Sequence, residues 1–417
     1  MIEQVLNRRN LMRAYRQVYA NKGSAGVDGM PLKELYKYLT NNWERIGSEL
    51  RQGRYLPQSI LGSEMLKSNG KSRLLGIPTM CDRVAQEVIR AELERELEPH
   101  FHPSLYGYRP GKSVPQALEA CAKNCWERWY VVDVDIKGFF DNIDHAKMIE
   151  RLHKYTSKKH ILLYCERWLK APILRIKGEM DTDRKKGTPQ GGVISPLLAN
   201  LYLHYCMDEW LKRNFPQCLF ERYADDAVIH CITLSEAREI KEGIRRRFAE
   251  CGLELHPEKT KIVYCRSSNR TEPYPVVQYD FLGYTFRPRK SMNKQGVVFT
   301  GFLPAVSTQS ETMMKAKMRS WNTFTITNCE VEDIALEINK VVRGWMNYYG
   351  HFYKTELKYV LAHIDRRLAI WAHRKFKRLR GRKVRAIRWV EELAKREPTL
   401  FAHWQPTRPR FCERSGL

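Results

Sequence analysis

The sequence predicts an α+β region followed by an all-helical one. Up to about residue 290, short β-branched and aromatic runs bounded by Gly, Pro, Asn and Asp alternate with stretches of helical periodicity. From about residue 308 onward the pattern is helical, with long basic faces. Charge is the third observation. The 417 residues carry a formal net charge of +25, pI about 9.6, and residues 341–389 hold 14 Lys/Arg against 2 Asp/Glu. Such a field favours a polyanion, nucleic acid being the usual one. Trp345, Tyr348, Tyr359, Trp371 and Trp389 are interleaved with those cations. A solvated charged helix bundle is the competing reading. No long apolar run or lipidation signal supports a membrane role. The length implies more than one domain, and the shift in composition places a boundary at 290–305. Eleven scattered cysteines form no paired Cys-x-x-Cys pattern. Neither a zinc site nor a disulfide framework is indicated, and without a secretory N-terminus a reducing cytoplasm is expected.

Taken in order, residues 1–20 read as a helix on Val5, Leu6, Leu11, Met12, Tyr15 and Val18. Three glycines in residues 21–29 make a flexible loop, either a linker or a lid that touches substrate, with Lys22 available for phosphate. A helix is expected over 31–52. Strands over 54–78 flank a turn at Ser68-Asn69-Gly70-Lys71; Lys67 and Arg73 beside it either converge on one anion or are ordinary surface cations. A helix over 80–98 stops before Pro99. The loop at 106–113, with Arg109 and Lys112, suits approach to a phosphate chain or is a bare turn. Ser113 then caps a helix to about 125. Residues 130–136 read as a strand with Asp133 and Asp135 on one face, where a charge is costly unless paired or metal-bound. Residues 143–170 are helical. The glycine-rich loop 187–196 lines a substrate or merely enters a helix. Ser195 as N-cap and Pro196 at the first helical position open that helix, which runs to about 214.

Tyr223-Ala224-Asp225-Asp226 follows, within apolar runs that read as two strands joined by a tight turn. Adjacent carboxylates there repel unless a cation lies between them; otherwise this is a solvated turn. An amphipathic helix over 235–251 precedes a turn into a strand over 253–263, and 281–286 reads as another short strand. Asp135 and Asp225 lie 90 residues apart, each at a strand end. Side by side with Asp226, they make a cluster able to hold two Mg²⁺, the arrangement that clamps both oxygens of an in-line phosphoryl displacement.

Several motifs now line up in order and spacing: Tyr106-Gly107-Tyr108-Arg109-Pro110, Asp135-Ile136-Lys137-Gly138-Phe139-Phe140-Asp141, Thr188-Pro189-Gln190-Gly191-Gly192, Tyr223-Ala224-Asp225-Asp226, His256-Pro257-Glu258-Lys259-Thr260-Lys261, Phe281-Leu282-Gly283 and Arg343-Gly344-Trp345-Met346-Asn347-Tyr348-Tyr349. The set resembles the reverse transcriptase/maturase encoded by bacterial group II introns. The resemblance implies a right-hand polymerase with fingers and an antiparallel-sheet palm over 1–290, including an N-terminal extension of about 50 residues. A helical thumb/maturase domain over 300–417 is implied after it. It makes Asp135, Asp225 and Asp226 the catalytic carboxylates, with the Ile136 carbonyl as a further ligand of two Mg²⁺. It makes Phe140 the steric gate against a 2′-hydroxyl, with Phe139 as fallback. Lys67 and Arg73 become the triphosphate clamp, and Gln190 and Gly191 lie against the nascent base pair. Lys259, with Lys261 as runner-up, protonates pyrophosphate. Leu282 and Gly283 steady the primer end. Lys22, Arg109, Lys112, Arg343, Trp345 and Tyr348 touch RNA or primer. The implied partners are group II intron RNA, an RNA template with its DNA primer, and dNTPs.

Many members of that family also carry a Cys-rich endonuclease domain, and this sequence shows no such cysteine or His-Asn-His pattern. Priming is then expected from elsewhere, for example a replication-fork end, or the protein has a domesticated role. Two alternatives stay open: an RNA-binding splicing cofactor that no longer polymerises, and a reverse transcriptase serving a retron or a CRISPR locus.

Overall fold

The computed structural model describes residues 2–66, 72–175, 178–293 and 295–405. Helices α1 (Ile2–Val5), α2 (Arg8–Ala20) and α3 (Leu35–Arg51) precede a hairpin of β1 (Ile60–Leu66) and β2 (Ser72–Ile77). Next come α4 (Met80–Leu97), α5 (Val114–Glu127), β3 (Tyr130–Val134), α6 (Phe139–Asn142), α7 (His145–Tyr155), α8 (Lys159–Lys170), β4 (Ile173–Leu174) and β5 (Met180–Asp181). The chain continues through α9 (Ser195–Leu203), a π-turn (His204–Asp208) and α10 (Glu209–Asn214). It then forms β6 (Leu219–Tyr223), β7 (Asp226–Cys231), α11 (Leu234–Glu250) and β8 (Lys261–Tyr264). Last come β9 (Tyr279–Phe281), β10 (Tyr284–Met292), β11 (Val298–Val306), α12 (Thr308–Arg319), α13 (Val331–Tyr349), α14 (Lys354–Lys375) and α15 (Lys383–Arg396).

The chain packs as two compact units, Met1–Ser113 with Val132–Ile262, and Val114–Val131 with Val263–Leu417. The boundary expected at 290–305 falls inside the hairpin of β10 and β11, whose strands pair from Tyr284 opposite Val306 to Met292 opposite Val298. That shift in composition marks a change of surface charge. It does not mark a gap in packing.

The first unit holds the sheet β2-β1-β4-β5 and most of the sheet β6-β7-β3-β8. Helix α4 organises it, because Met80 through Ile89 are buried without interruption. Three of its polar side chains reach loops. Asp82 accepts from the Tyr55 hydroxyl at 2.7 Å, the Thr79 hydroxyl at 2.8 Å and the Gln58 amide at 3.2 Å, so the buried carboxylate is satisfied. Arg83 donates to the Ser24 carbonyl at 2.6 Å and Gln86 accepts from the Val193 amide at 2.9 Å. The glycine loop read as flexible is therefore packed: a Cβ on Gly26 would sit 2.7 Å from the Thr79 Cα.

Ser195 is not the N-cap of α9. Ile194 holds that position with no side-chain hydrogen bond, and the Ser195 hydroxyl accepts from the Thr188 hydroxyl at 2.8 Å. The helical run does reach Asn214, as expected, but through the π-turn.

The second unit holds the sheet β11-β10-β9. Residues 281–286 are two strands about a tight turn, not one strand, since Leu282 and Gly283 have φ of +50° and +78°. Its helices enclose Ile334, Ile338, Val342, Ile364, Leu368 and Trp371. Each buried aliphatic side chain contributes about 1.5–3 kcal/mol. Among the described residues, no helix is long and apolar enough to cross a membrane.

Candidate functional site

The β6–β7 hairpin places Tyr223 opposite Asp226, with Ala224 and Asp225 as its turn. Ala224 has φ +59°, a left-handed conformation that costs a residue with a Cβ roughly 1–2 kcal/mol. The neighbourhood holds it there. Arg222, fully buried, donates to the Ala224 carbonyl at 3.0 Å, to Asp208 Oδ1 at 2.8 Å and to Asn200 Oδ1 at 3.2 Å. Asn200 in turn donates to the Gly107 carbonyl at 2.8 Å, and the Tyr106 amide donates to the Arg222 carbonyl at 2.8 Å. A Cβ on Gly107 would lie 2.5 Å from the Ala224 nitrogen, so only glycine fits. Burial works against ionisation of Asp208, but Arg222 and His204 outweigh it and hold the carboxyl below its usual range. The π-turn of residues 204–208 is what delivers Asp208 to this pair.

Asp135 lies one residue beyond β3, and the segment 253–261 holds its backbone. The Thr260 hydroxyl accepts from the Asp135 amide at 3.2 Å and donates to its carbonyl at 3.1 Å. The His256 amide donates to that same carbonyl at 2.8 Å. Ile136 pairs with Leu255 in an isolated bridge, and the Lys137 amide donates to the Glu254 carbonyl at 2.8 Å. Lys259 Nζ stands 3.1 Å from Asp135 Oδ2.

Strand β7 is the neighbour of β3, which brings Asp226 toward Asp135. The Asp226 carboxyl is pushed up to about 6 by the surrounding protein, then by the charges of Asp225 and Asp135, while Lys259 pulls it down. Its surface is nonetheless exposed, so solvent screens part of the burial effect; the two neighbouring carboxylates are the cause we weight. Three carboxylates thus gather where like charges oppose one another. An all-oxygen set of this kind fits a hard divalent cation. Asp133, on the same strand, faces Lys261 at 3.8 Å.

The other expected residues divide. Phe139 is buried and Phe140 half-buried, their rings 5.3 Å apart, so Phe140 is the ring open to a ligand. The Gln190 carbonyl accepts from the Gly76 amide at 3.2 Å. Gly191 has φ +139°, and a Cβ there would lie 2.5 Å from the Gly76 carbonyl oxygen. Lys67 and the Arg73 side chain lie outside the described residues. Lys22 is exposed. Arg109, expected on a phosphate, is committed elsewhere: its side chain is 8% exposed and donates to Glu98 at 2.7 Å and to the His102 and Leu105 carbonyls at 2.8 and 3.1 Å. The loop needs those bonds because its own carbonyls have no ladder to join. Lys112 donates to the Pro103 carbonyl at 3.0 Å and is half-buried.

In the second unit the Tyr348 hydroxyl donates to the Leu282 carbonyl at 3.0 Å, and the Ser310 hydroxyl to the Gly283 carbonyl at 3.1 Å. Trp345, expected on nucleic acid, packs instead against the helical core, its ring 5.7 Å from that of Trp321. Arg343 is exposed. Sequence reasoning missed Arg222, Asp208, Asn200 and Thr260. A lone arginine inside the apolar run 219–229 was the available signal.

Residues 65–286 match the family described as reverse transcriptase (RNA-dependent DNA polymerase), and residues 312–389 match the group II intron maturase-specific domain. The chain is 36% identical over 234 residues to the group II intron-encoded protein LtrA of Lactococcus lactis subsp. cremoris, spanning 56% of this chain and 37% of that protein. Protein YkfC of Escherichia coli (strain K12) is 32% identical over 225 residues, spanning 51% of this chain and 55% of that protein. The matches thus span about a third to a half of those relatives. Among solved structures, telomerase from Candida albicans in complex with a TWJ fragment of telomeric RNA aligns with a TM-score of 0.46 and 12% identity, over 89% of this chain and 69% of that one.

Proposed function

The chain belongs to the reverse transcriptase (RNA-dependent DNA polymerase) family, and on that premise we propose that it extends a DNA primer on an RNA template with dNTPs, and that it grips group II intron RNA to assist splicing and mobility. The observation that carries this is the gathering of Asp225 and Asp135 around Asp226, whose carboxyl is pushed up to about 6 by burial and then by those two charges. A divalent cation follows from the family and from that donor set. We assign two Mg²⁺ to Asp135, Asp225, Asp226 and the Ile136 carbonyl, where they would activate the primer 3′-hydroxyl and neutralise triphosphate charge.

The protein's own contribution is positioning and electrostatics. Lys259 neutralises Asp135 at 3.1 Å and carries the proton for the leaving pyrophosphate. Phe140 excludes a 2′-hydroxyl, so dNTPs are preferred. Gln190 and Gly191 bed the nascent base pair, and Lys67 with Arg73 clamps the triphosphate. Leu282 and Gly283, braced by Tyr348 and Ser310, steady the primer end. Fingers and palm are assigned to 1–290 and the thumb/maturase domain to 300–417, whose cations hold nucleic-acid backbone.

Primer extension on an RNA template by wild type and Asp225→Ala tests the reading. Incorporation by wild type should fall about 10³-fold in the variant, the scale of losing a charge-stabilising group. No incorporation by wild type with any divalent metal would sink it.

A further inference from the structure

Where α11 packs over residues 253–262, a cavity of about 590 Å³ opens. Its floor is apolar: Leu253 and Leu255 are buried, and Pro257 and Ile262 complete it. Its rim is cationic. Arg238, Lys241 and Arg245 recur along one face of α11, at spacings of three and four.

Two carboxylates also line the cavity, but both are engaged. Glu242 accepts from Arg245 at 2.6 and 2.8 Å, and Glu254 pairs with Lys137 at 3.1 Å. Lys241 donates to the Thr260 carbonyl at 2.9 Å, which orients its charge without neutralising it. Arg238 is exposed and makes no hydrogen bond or ion pair among the described residues. Two uncompensated cations therefore stand over an apolar slot.

The volume falls within the range of small-molecule and cofactor sites, about 300–1,000 Å³. An inorganic anion has no use for the apolar floor, and an apolar molecule has none for the cations. A flat ring bearing a phosphate uses both, with guanidinium and ammonium on the phosphate oxygens. We infer that this cavity binds a nucleoside phosphate, either free or as a nucleotide extruded from bound RNA, separately from the carboxylate cluster. His256 and Thr260, which line it, are the same residues that hold the Asp135 backbone. An occupant therefore bears on the placement of Asp135 and changes the rate of primer extension.

Binding is measurable without catalysis, so the inference stands or falls apart from the polymerase assignment. Equilibrium dialysis of the full chain with radiolabelled AMP tests it, because a monophosphate cannot be incorporated into DNA. The expected result is one AMP per chain, weakened about tenfold or more both in Arg238→Glu and in Ala249→Trp, which projects a ring into the cavity. Inorganic phosphate should compete poorly. Both positions are exposed on α11, and an unchanged circular dichroism spectrum checks the fold of each variant. Displacement of AMP by an adenosine-containing RNA oligonucleotide identifies the RNA-borne source; failure to displace it identifies the free nucleotide. Absence of AMP binding, equal binding by wild type and both variants, or competition by phosphate as strong as by AMP overturns the inference.

Discussion

Polar side chains are buried mainly in the first unit, whereas the excess of cations over carboxylates is greater in the second, where residues 341–389 hold 14 Lys/Arg against 2 Asp/Glu. Among the described residues, sixteen of the twenty buried polar or charged side chains belong to the first unit, Asp82, Asn200, Asp208, Arg222 and Thr260 among them. The second unit buries Arg289, Ser307, Ser310 and Asn339, and its helices close over aliphatic and aromatic residues. The difference follows from what each must hold. A turn with Ala224 at φ +59° and an aspartate poised beyond a strand end need directional bonds. A helix bundle that carries cations on its surface needs only a filled core. Directional networks specify geometry at a cost in tolerance, because each member left unpaired is penalised.

That contrast can be broken by substitution. The largest effect is expected from Arg222→Met, which strands Asp208 in the interior. It should cost about 3–5 kcal/mol in chemical denaturation, with primer extension lost in step. A loss under about 1 kcal/mol would mean that the network does not brace the hairpin. In the second unit the sensitive position is apolar. Ile338→Ala, at a fully buried site, should cost about 2–4 kcal/mol and leave the midpoint of the first unit's transition in place. The smallest effect on stability belongs to the display surface. Arg343→Gln should change stability by less than about 0.5 kcal/mol, yet lower RNA affinity and reduce the salt slope by about 1. An unchanged slope would remove Arg343 from the binding surface.

The same contrast explains what could be read from the sequence. Tyr223-Ala224-Asp225-Asp226 was legible because alternating apolar residues flank a small polar tetrad, a local signal. The four-turn and longer helices of the second unit were legible from periodicity. Strand β10 was legible only over 284–286; Arg287-Pro288-Arg289-Lys290 beyond it lacks any alternation and is held by its partner β11. Arg109 was misjudged because its partner Glu98 lies in another element. Trp345 was misjudged because a basic surrounding sequence conceals which face of α13 it takes. Both depend on tertiary placement, which composition does not encode.

The account turns on three carboxylates sharing one cation-binding locus. Titration of the full chain with Mn²⁺, followed by the loss of its free-ion EPR signal, addresses this directly. Because the proton competes with the cation for Asp226, whose carboxyl sits at about 6, binding should weaken as pH falls through that value. Asp135→Asn, Asp225→Asn and Asp226→Asn should each weaken it, and Asp226→Asn should flatten the pH dependence. Equal Mn²⁺ affinity in wild type and all three variants, with no change across pH 5 to 7, would contradict the shared locus.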